Sequence, residues 1–294
     1  MQKIAPFLWF DQQAEEAARL YTGLFDRSRI TGTTRYGDAG PGPKGTVMTS
    51  SFELQGLPMT ALNGGPVYSF TPATSFFVTC GIEADVDALW KELVKGGKVM
   101  MELGKYPFSP KFGWLSDRYG LSWQLNLVPG SQKRITPFFM FVGKQAGRAE
   151  EAMKSWTARF PDSSILQLER FPAGMPEPEG NVMHGRFALA GQEFMAMDSA
   201  GPHAFTFTPA VSFYINCDNQ AEVDHYWDSL IAGGGRPSQC GWLEDAYGVS
   251  WQVVPTVLHT LIGDKDPVKA RRATEAMLKM TKLDIARLQD AHRG

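Results

Sequence analysis

Cysteine and histidine are both scarce in this chain of 294 residues, with three of the first and five of the second. Three thiols cannot all pair, which excludes a disulfide framework as the main source of stability. Cys80 and Cys217 end two apolar runs and read as small core residues, suiting a reducing, cytoplasmic setting. The histidines (His184, His203, His225, His259 and His292) all lie beyond residue 180, with no His-x-His or His-x-x-x-His spacing. Charge of one sign is lacking as well: 29 basic and 31 acidic residues are dispersed and leave a net charge of −2. Without a basic run, nucleic acid and anionic membrane are poor partners. No apolar stretch approaches the roughly 18 residues of a spanning helix, and the N-terminus shows no charged-then-apolar leader pattern.

What the chain does have is a repeat. Ile4-Ala5-Pro6-Phe7-Leu8-Trp9-Phe10 returns as Ile135-Thr136-Pro137-Phe138-Phe139-Met140-Phe141, and Phe70-Thr71-Pro72-Ala73-Thr74-Ser75-Phe76 as Phe207-Thr208-Pro209-Ala210-Val211-Ser212-Phe213. The block from Gly113-Trp114-Leu115 to Tyr119-Gly120-Leu121-Ser122-Trp123-Gln124 returns as Gly241-Trp242-Leu243 to Tyr247-Gly248-Val249-Ser250-Trp251-Gln252. Three blocks in the same order mark a duplication of roughly 130 residues, too long for a solenoid unit and right for a small domain. Residues 1–130 form copy one, 131–256 copy two, and 257–294 a tail without a counterpart.

Within copy one, residues 4–10 read as a buried strand. Residues 12–25 carry Ala14, Ala17, Ala18, Tyr21 and Leu24 at helical spacing, with Glu15 and Glu16 early. Strands follow at 28–36, 45–54 and 57–63, then a strand at 74–79, a helix at 83–95 stopped by Gly96-Gly97, and strands near 98–102, 112–117 and 121–127. Each copy is thus βαβββ–βαβββ, an α+β chain of four modules. Copy one carries nine extra residues between its second helix and the Gly-Trp-Leu block, including Tyr106-Pro107-Phe108-Ser109-Pro110-Lys111. Such a loop either caps a cavity or covers an edge strand. In the tail, Asp266 and Pro267 start a helix bearing Met277, Met280, Leu283 and Leu288, which packs on the domain pair or makes a homodimer contact.

The modules, with the words Phe-Thr-Pro-Ala-x-Ser-Phe and Gly-Trp-Leu-x-Asp-x-Tyr-Gly-x-Ser-Trp-Gln, resemble the vicinal-oxygen-chelate superfamily of glyoxalase I, extradiol dioxygenases and bleomycin-resistance proteins. Within it the chain resembles the PhnB-like family, often labelled 3-demethylubiquinone 3-methyltransferase. The tail's Glu275-Ala276-Met277-Leu278 and Lys282-Leu283-Asp284-Ile285-Ala286 share that resemblance. It implies tandem glyoxalase-like domains with cupped mixed sheets and a C-terminal helix. It also implies metal-ligand slots near Pro6, Met59, Ser75 and Gln124, and near Pro137, Phe194, Ser212 and Gln252. Only the two glutamines are plausible ligands, because an in-chain proline nitrogen, Met and Phe do not suit a hard ion. No cofactor is expected, and a divalent metal is disfavoured.

The methyltransferase label meets one formal match, Gly40-Pro41-Gly42-Pro43-Lys44-Gly45. Two prolines remove N–H donors from it and a strand-forming stretch follows, so it reads as a hairpin loop rather than a cofactor cradle. Asp117 and Asp245 precede Gly120 and Gly248 in tight turns and read as turn formers. Alternation puts Ser122 and Gln124 on one face and Trp123 on the other. What remains is an aromatic cavity with one amide, for which Trp9, Met59, Phe76, Gln124, Phe138, His203, Phe213 and Gln252 are candidate ligand contacts. His184, like His203, has no counterpart in the other copy. Two readings follow. One is metal-free binding of a small, partly aromatic or quinone-like molecule within an intrachain pseudo-dimer. The other is an enzyme, whether a methyltransferase or a metal-dependent lyase, isomerase or dioxygenase.

Overall fold

The computed structural model describes residues 2–294. The first module holds β1 (Ile4–Phe10), α1 (Ala14–Leu24), β2 (Arg29–Arg35), β3 (Val47–Leu54) and β4 (Leu57–Asn63). The second holds β5 (Thr74–Cys80), α2 (Glu83–Leu93), β6 (Lys98–Tyr106), β7 (Ser109–Ser116) and β8 (Ser122–Leu127). The third holds β9 (Arg134–Phe141), α3 (Ala149–Thr157), β10 (Ser164–Arg170), β11 (Val182–Leu189) and β12 (Gln192–Asp198). The fourth holds β13 (Val211–Cys217), α4 (Gln220–Ile231), β14 (Arg236–Pro237), β15 (Trp242–Glu244) and β16 (Ser250–Pro255). The chain closes with α5 (Val257–Ile262), α6 (Pro267–Leu278) and α7 (Ile285–Arg293).

Two eight-stranded mixed sheets result. The first runs β14-β15-β16-β13-β1-β4-β3-β2 and the second β10-β11-β12-β9-β5-β8-β7-β6. Each sheet therefore joins one module from each sequence copy: the first module pairs with the fourth, the second with the third. The seams are the antiparallel pairs β1·β13 and β5·β9, with Ile4 opposite Ile215 and Ser75 opposite Phe138. A module ends in an open strand edge whose N–H and C=O groups need partners, and the matching strand of another module supplies them.

Pleating sorts the side chains. On β1, Ile4, Pro6, Leu8 and Phe10 are buried on the inner face, toward the helices, and Phe7 and Trp9 lie on the outer face. Helix α1 buries Ala14, Ala17, Ala18 and Tyr21 at i, i+3, i+4 and i+7, and α3 repeats this with Ala149, Ala152, Met153 and Trp156. The inner faces of both sheets and the helices α1–α4 share one continuous core. Both helices start on a side chain delivered by a neighbouring strand. Asn63 Oδ1 accepts from the Ala14 N–H at 2.8 Å, and Asp198 Oδ1 from the Gly147 and Ala149 N–H groups at 2.8 and 3.1 Å.

Asp117 and Asp245 are the turn formers expected, and more. Asp245 Oδ1 accepts from the Tyr247 and Val249 N–H groups, and Oδ2 from both Trp156 Nε1 and Trp251 Nε1 at 2.8 Å. Asp117 repeats the pattern, with Tyr21 Oη replacing one indole at 2.6 Å and Trp123 Nε1 at 3.0 Å. Each carboxylate thus ties a module to the helix of its neighbour in sequence. Burial pushes the Asp245 carboxyl up to about 6, against the four N–H donors that favour its charge.

The tail is three helices rather than one. Asp266 caps α6 as expected, accepting from the Val268 and Lys269 N–H groups. The helix ends at Leu278, and the segment after it is tied to the fourth module: Met280 C=O accepts from Cys240 N–H and Thr281 C=O from Gly241 N–H, both at 2.8 Å. Leu258, Leu261, Ala273, Met280, Leu283 and Leu288 bury a second core against Tyr214 and Val254.

Candidate functional site

The outer face of the second sheet carries a cavity of about 580 Å³. Its floor follows from strand parity. Phe77 on β5 lies opposite Gln124 on β8, and Gln124 opposite Trp114 on β7. On the other side of the seam, Phe138 and Met140 on β9 stand beside Met195 and Met197 on β12. The Phe77 and Phe138 rings stack across the seam at 6.1 Å and 21°. One wall is the β6–β7 hairpin, which contains the extra residues of copy one. Phe108 at its tip is 67% exposed yet lines the cavity, with Phe112 5.1 Å away edge-on. The insertion is therefore part of the cavity rim. The opposite wall is Glu169, Phe171, Met175, Met183 and His184.

Four polar side chains reach this apolar space. Gln124 Nε2 donates to Ser75 Oγ at 2.8 Å, which fixes the amide and leaves its carbonyl oxygen available. Asn126 Oδ1 is buried without a hydrogen-bond partner. His184 on β11 stands opposite Glu169 on β10. Burial holds the His184 imidazole below its ordinary range in spite of the nearby Glu169 carboxylate, so the ring is neutral at pH 7.

The equivalent face of the first sheet differs. Gln252 Nε2 donates to Ser212 Oγ at 3.0 Å, repeating the Gln124 bond. Here, however, the tail lies against the sheet: Tyr214 Oη meets His259 Nε2 at 2.9 Å, and Val254 and Tyr214 pack with Leu258 and Leu283. What stays open is a hollow of about 560 Å³ beside Trp9, Tyr68 and Trp242, crossed by the Arg236–Glu244 ion pair at 2.5 Å.

Of the candidate contacts, Gln124 and Phe138 line the cavity together, and Trp9 lines the hollow on the other sheet. Gln252 sits on that other sheet's outer face, buried. Met59, Phe76 and Phe213 occupy inner-face positions of their strands and are buried in the shared core. His203 lies outside the cavity, its Nε2 2.8 Å from Ser199 Oγ and its ring 5.0 Å from Phe205. The residues missed by sequence reading, Phe77, Asn126, Met140 and Met197, sit two positions along a strand from another outer-face residue: Ser75, Gln124, Phe138 and Met195. Parity identifies them once one outer residue per strand is known.

Parity also corrects the metal slots. Pro6, Met59, Pro137 and Phe194 face inward; the outer-face neighbours of Ser75 are Phe138 and, beyond it, Met195, and those of Gln124 are Phe77 and Trp114. Among the described residues no three His, Cys, Asp or Glu side chains converge. One amide already bonded to a serine, beside aromatic rings and thioethers, does not fit a divalent ion. The glycine loop does not fit a methyl-donor cofactor either. It leads into β3 rather than a helix, and Cβ atoms at Gly40 and Gly42 would stand 2.6 and 2.3 Å from the Tyr36 ring. These two glycines are there to pack on Tyr36.

The comparisons agree with this architecture. A family model described as 3-demethylubiquinone-9 3-methyltransferase matches twice, over residues 2–126 and 133–254. A PhnB protein from Bacillus cereus is 46% identical over 43% of this chain and 100% of its own, with a TM-score of 0.41. A protein from Staphylococcus aureus is 36% identical over 42% of this chain and 95% of its own, with a TM-score of 0.18. Glyoxalase I from Zea mays, 11% identical, covers 84% of this chain and 92% of its own at a TM-score of 0.54, a likeness of fold. No curated protein matches the chain. With two tandem matches spanning both copies, the chain belongs to the family described as 3-demethylubiquinone-9 3-methyltransferase, on the glyoxalase-like fold.

Proposed function

We propose that this protein binds a small, flat, partly aromatic molecule in the cavity on the outer face of the second sheet, without a metal, and binds one per chain. The observation that carries this reading is the cavity itself: about 580 Å³, walled by Phe, Trp and Met side chains, with a few fixed polar atoms. That volume suits a ligand of one or two fused rings, and aromatic walls favour stacking while thioethers adapt to its outline. The stoichiometry rests on asymmetry: the tail packs on Tyr214 and Val254 of the corresponding face, and the hollow left beside Trp9 and Trp242 is crossed by the Arg236–Glu244 ion pair. The copies would then act as the two halves of a fused dimer, with one site kept and one covered.

Calorimetric titration with 1,4-naphthoquinone tests the reading. Saturable binding near one per chain, weakened about tenfold or more by Phe138→Ala, is expected, since removing a buried ring forfeits roughly 1.5–3 kcal/mol. Absence of binding across naphthalene, quinone and phenol probes would overturn it. The family's description favours a second reading, methyl transfer to a quinone-like acceptor. Saturable binding of S-adenosylmethionine in the same instrument would support that reading, and none would remove its chief requirement.

A further inference from the structure

The far wall of the cavity is chemically unlike the rest. Resting on the cavity reading above, we propose that His184 and Glu169 form a hydrogen-bond-accepting pair that selects ring ligands bearing a hydroxyl, phenols and hydroquinones, over equally shaped rings without a donor.

The argument begins with register. Glu169 and His184 are direct partners on β10 and β11, so their side chains leave the sheet side by side, and both line the cavity. Glu169 Oε1 accepts from Gln167 Nε2 at 2.6 Å, which leaves its second carboxylate oxygen available. Burial and the Glu169 field are the main influences on His184, and among the described residues no group hydrogen-bonds its ring. The charged groups nearest to it beyond Glu169 are Arg186, on the same strand, and Glu193, on β12. These two satisfy each other, with Arg186 Nε donating to Glu193 Oε1 at 2.7 Å. Arg186 Nη1 reaches Gln167 Oε1 at 3.3 Å rather than Glu169, and among the described residues no cation pairs with the Glu169 carboxylate.

A neutral imidazole offers one lone pair and one N–H, and a carboxylate offers acceptors only, so acceptors outnumber donors on this wall. A quinone carbonyl or an ether oxygen brought to this wall can accept the imidazole N–H alone, and has nothing to donate to the imidazole lone pair or to the carboxylate. A phenolic O–H would give its proton to the imidazole nitrogen or to the carboxylate, a hydrogen bond strengthened by the low-dielectric surroundings. The Gln124 and Asn126 amides on the opposite side carry donors as well as acceptors, and serve a second ring substituent of either kind. The pair has no counterpart in copy one, where the equivalent stretch of β3 reads Thr49-Ser50-Ser51. The discrimination is thus a property of this one cavity and not of the repeat.

The test is a matched pair of probes, 2-naphthol and 2-methoxynaphthalene, titrated into the full chain. The expected result is binding of 2-naphthol about tenfold tighter, the equivalent of one hydrogen bond in a dry site. In His184→Phe combined with Glu169→Gln, the ratio should fall toward one, with 2-methoxynaphthalene bound at least as well as by the native chain. That retained binding shows that the variant is folded, and His184→Gln, which keeps an acceptor, should keep part of the preference. Equal affinities for the two probes in the native chain would overturn the inference while leaving the cavity reading in place. So would a preference for 2-naphthol that survives the double variant. Failure of both probes and of 1,4-naphthoquinone to bind would overturn the cavity reading itself.

Discussion

Gln124 donates its side-chain amide to Ser75 Oγ at 2.8 Å, across the parallel pair β5·β8. Gln252 and Ser212 make the same bond at 3.0 Å across β13·β16. The duplicated sequence places the same polar pair on the outer face of each sheet, but only the Gln124 pair faces a cavity walled by the β6–β7 hairpin. The Gln252 pair lies on the face that the C-terminal helices cover. The structural difference between the two outer faces comes from the two segments outside the repeat, the hairpin insertion and the tail.

The buried aspartates should dominate the stability of the joint between neighbouring modules. Asp245→Asn turns one oxygen facing two indole N–H groups into a donor, leaving buried donors unpaired, and should cost about 2–4 kcal/mol by urea unfolding. Its pH dependence has a definite sign. The folded-state carboxyl is raised to about 6 from an ordinary value of 3.8, so the folded state binds the proton more tightly. Stability from this group is fully present below pH 4 and is lost as pH rises through 6. The gap between the native protein and Asp245→Asn should therefore be larger at pH 4 than at pH 7. A gap that widens with pH would mean that the four N–H donors outweigh desolvation.

The tail should detach before the sheets open. Leu283 is fully buried among the tail helices and sits against Gly241. Leu283→Ala should cost about 2–5 kcal/mol, mostly local. Hydrogen exchange read by mass spectrometry should accelerate in α5, α6 and α7 and stay unchanged in β5, β8 and β9. Equal acceleration in those strands would show that the tail is integral to the whole fold.

The glycine loop should matter for packing alone. In Gly42→Ala the new methyl would overlap the Tyr36 ring, whose hydroxyl donates to the Asn63 carbonyl at 2.5 Å. A loss of about 1–3 kcal/mol is expected, with unchanged affinity for 1,4-naphthoquinone. A variant as stable as the native chain but impaired in binding would return the loop to the functional site.

Much of the fold is legible in the sequence because the signals are local. The runs at residues 4–10 and 57–63 form strands with those limits, and the Asp266-Pro267 start of a helix holds. The hairpin insertion is less legible: Pro107 and Pro110 suggest a loop, yet β6 runs on to Tyr106 and β7 starts at Ser109. Pro107 sits in the turn, and Pro110 lies in a bulged stretch of β7 before its pairing with β8 begins at Phe112, so no ladder N–H is missed. The pairing of the first module with the fourth is not legible at all, since β5 and β13 carry the same pattern and either would satisfy β1. That pairing decides which residues meet: Gln124 shares a sheet with Phe138, while Met59 is on the other sheet and faces inward. The wall formed by Glu169 and His184 was hidden for a related reason, because a polar pair on adjacent strands shows only when the register is known.

The cavity's methionines offer the most direct measurement. Met140, Met183 and Met197 line it, Met59 and Met153 are buried in the shared core, and Met277 and Met280 belong to the tail. With ¹³C-methyl methionine in the full chain, NMR spectra recorded during titration with 1,4-naphthoquinone report on all of them at once. The account predicts that the resonances of Met140, Met183 and Met197 shift together and saturate at one ligand per chain, while Met59, Met153, Met277 and Met280 stay in place. Shifts confined to the tail methionines, or no saturable shift in the cavity set, would contradict it.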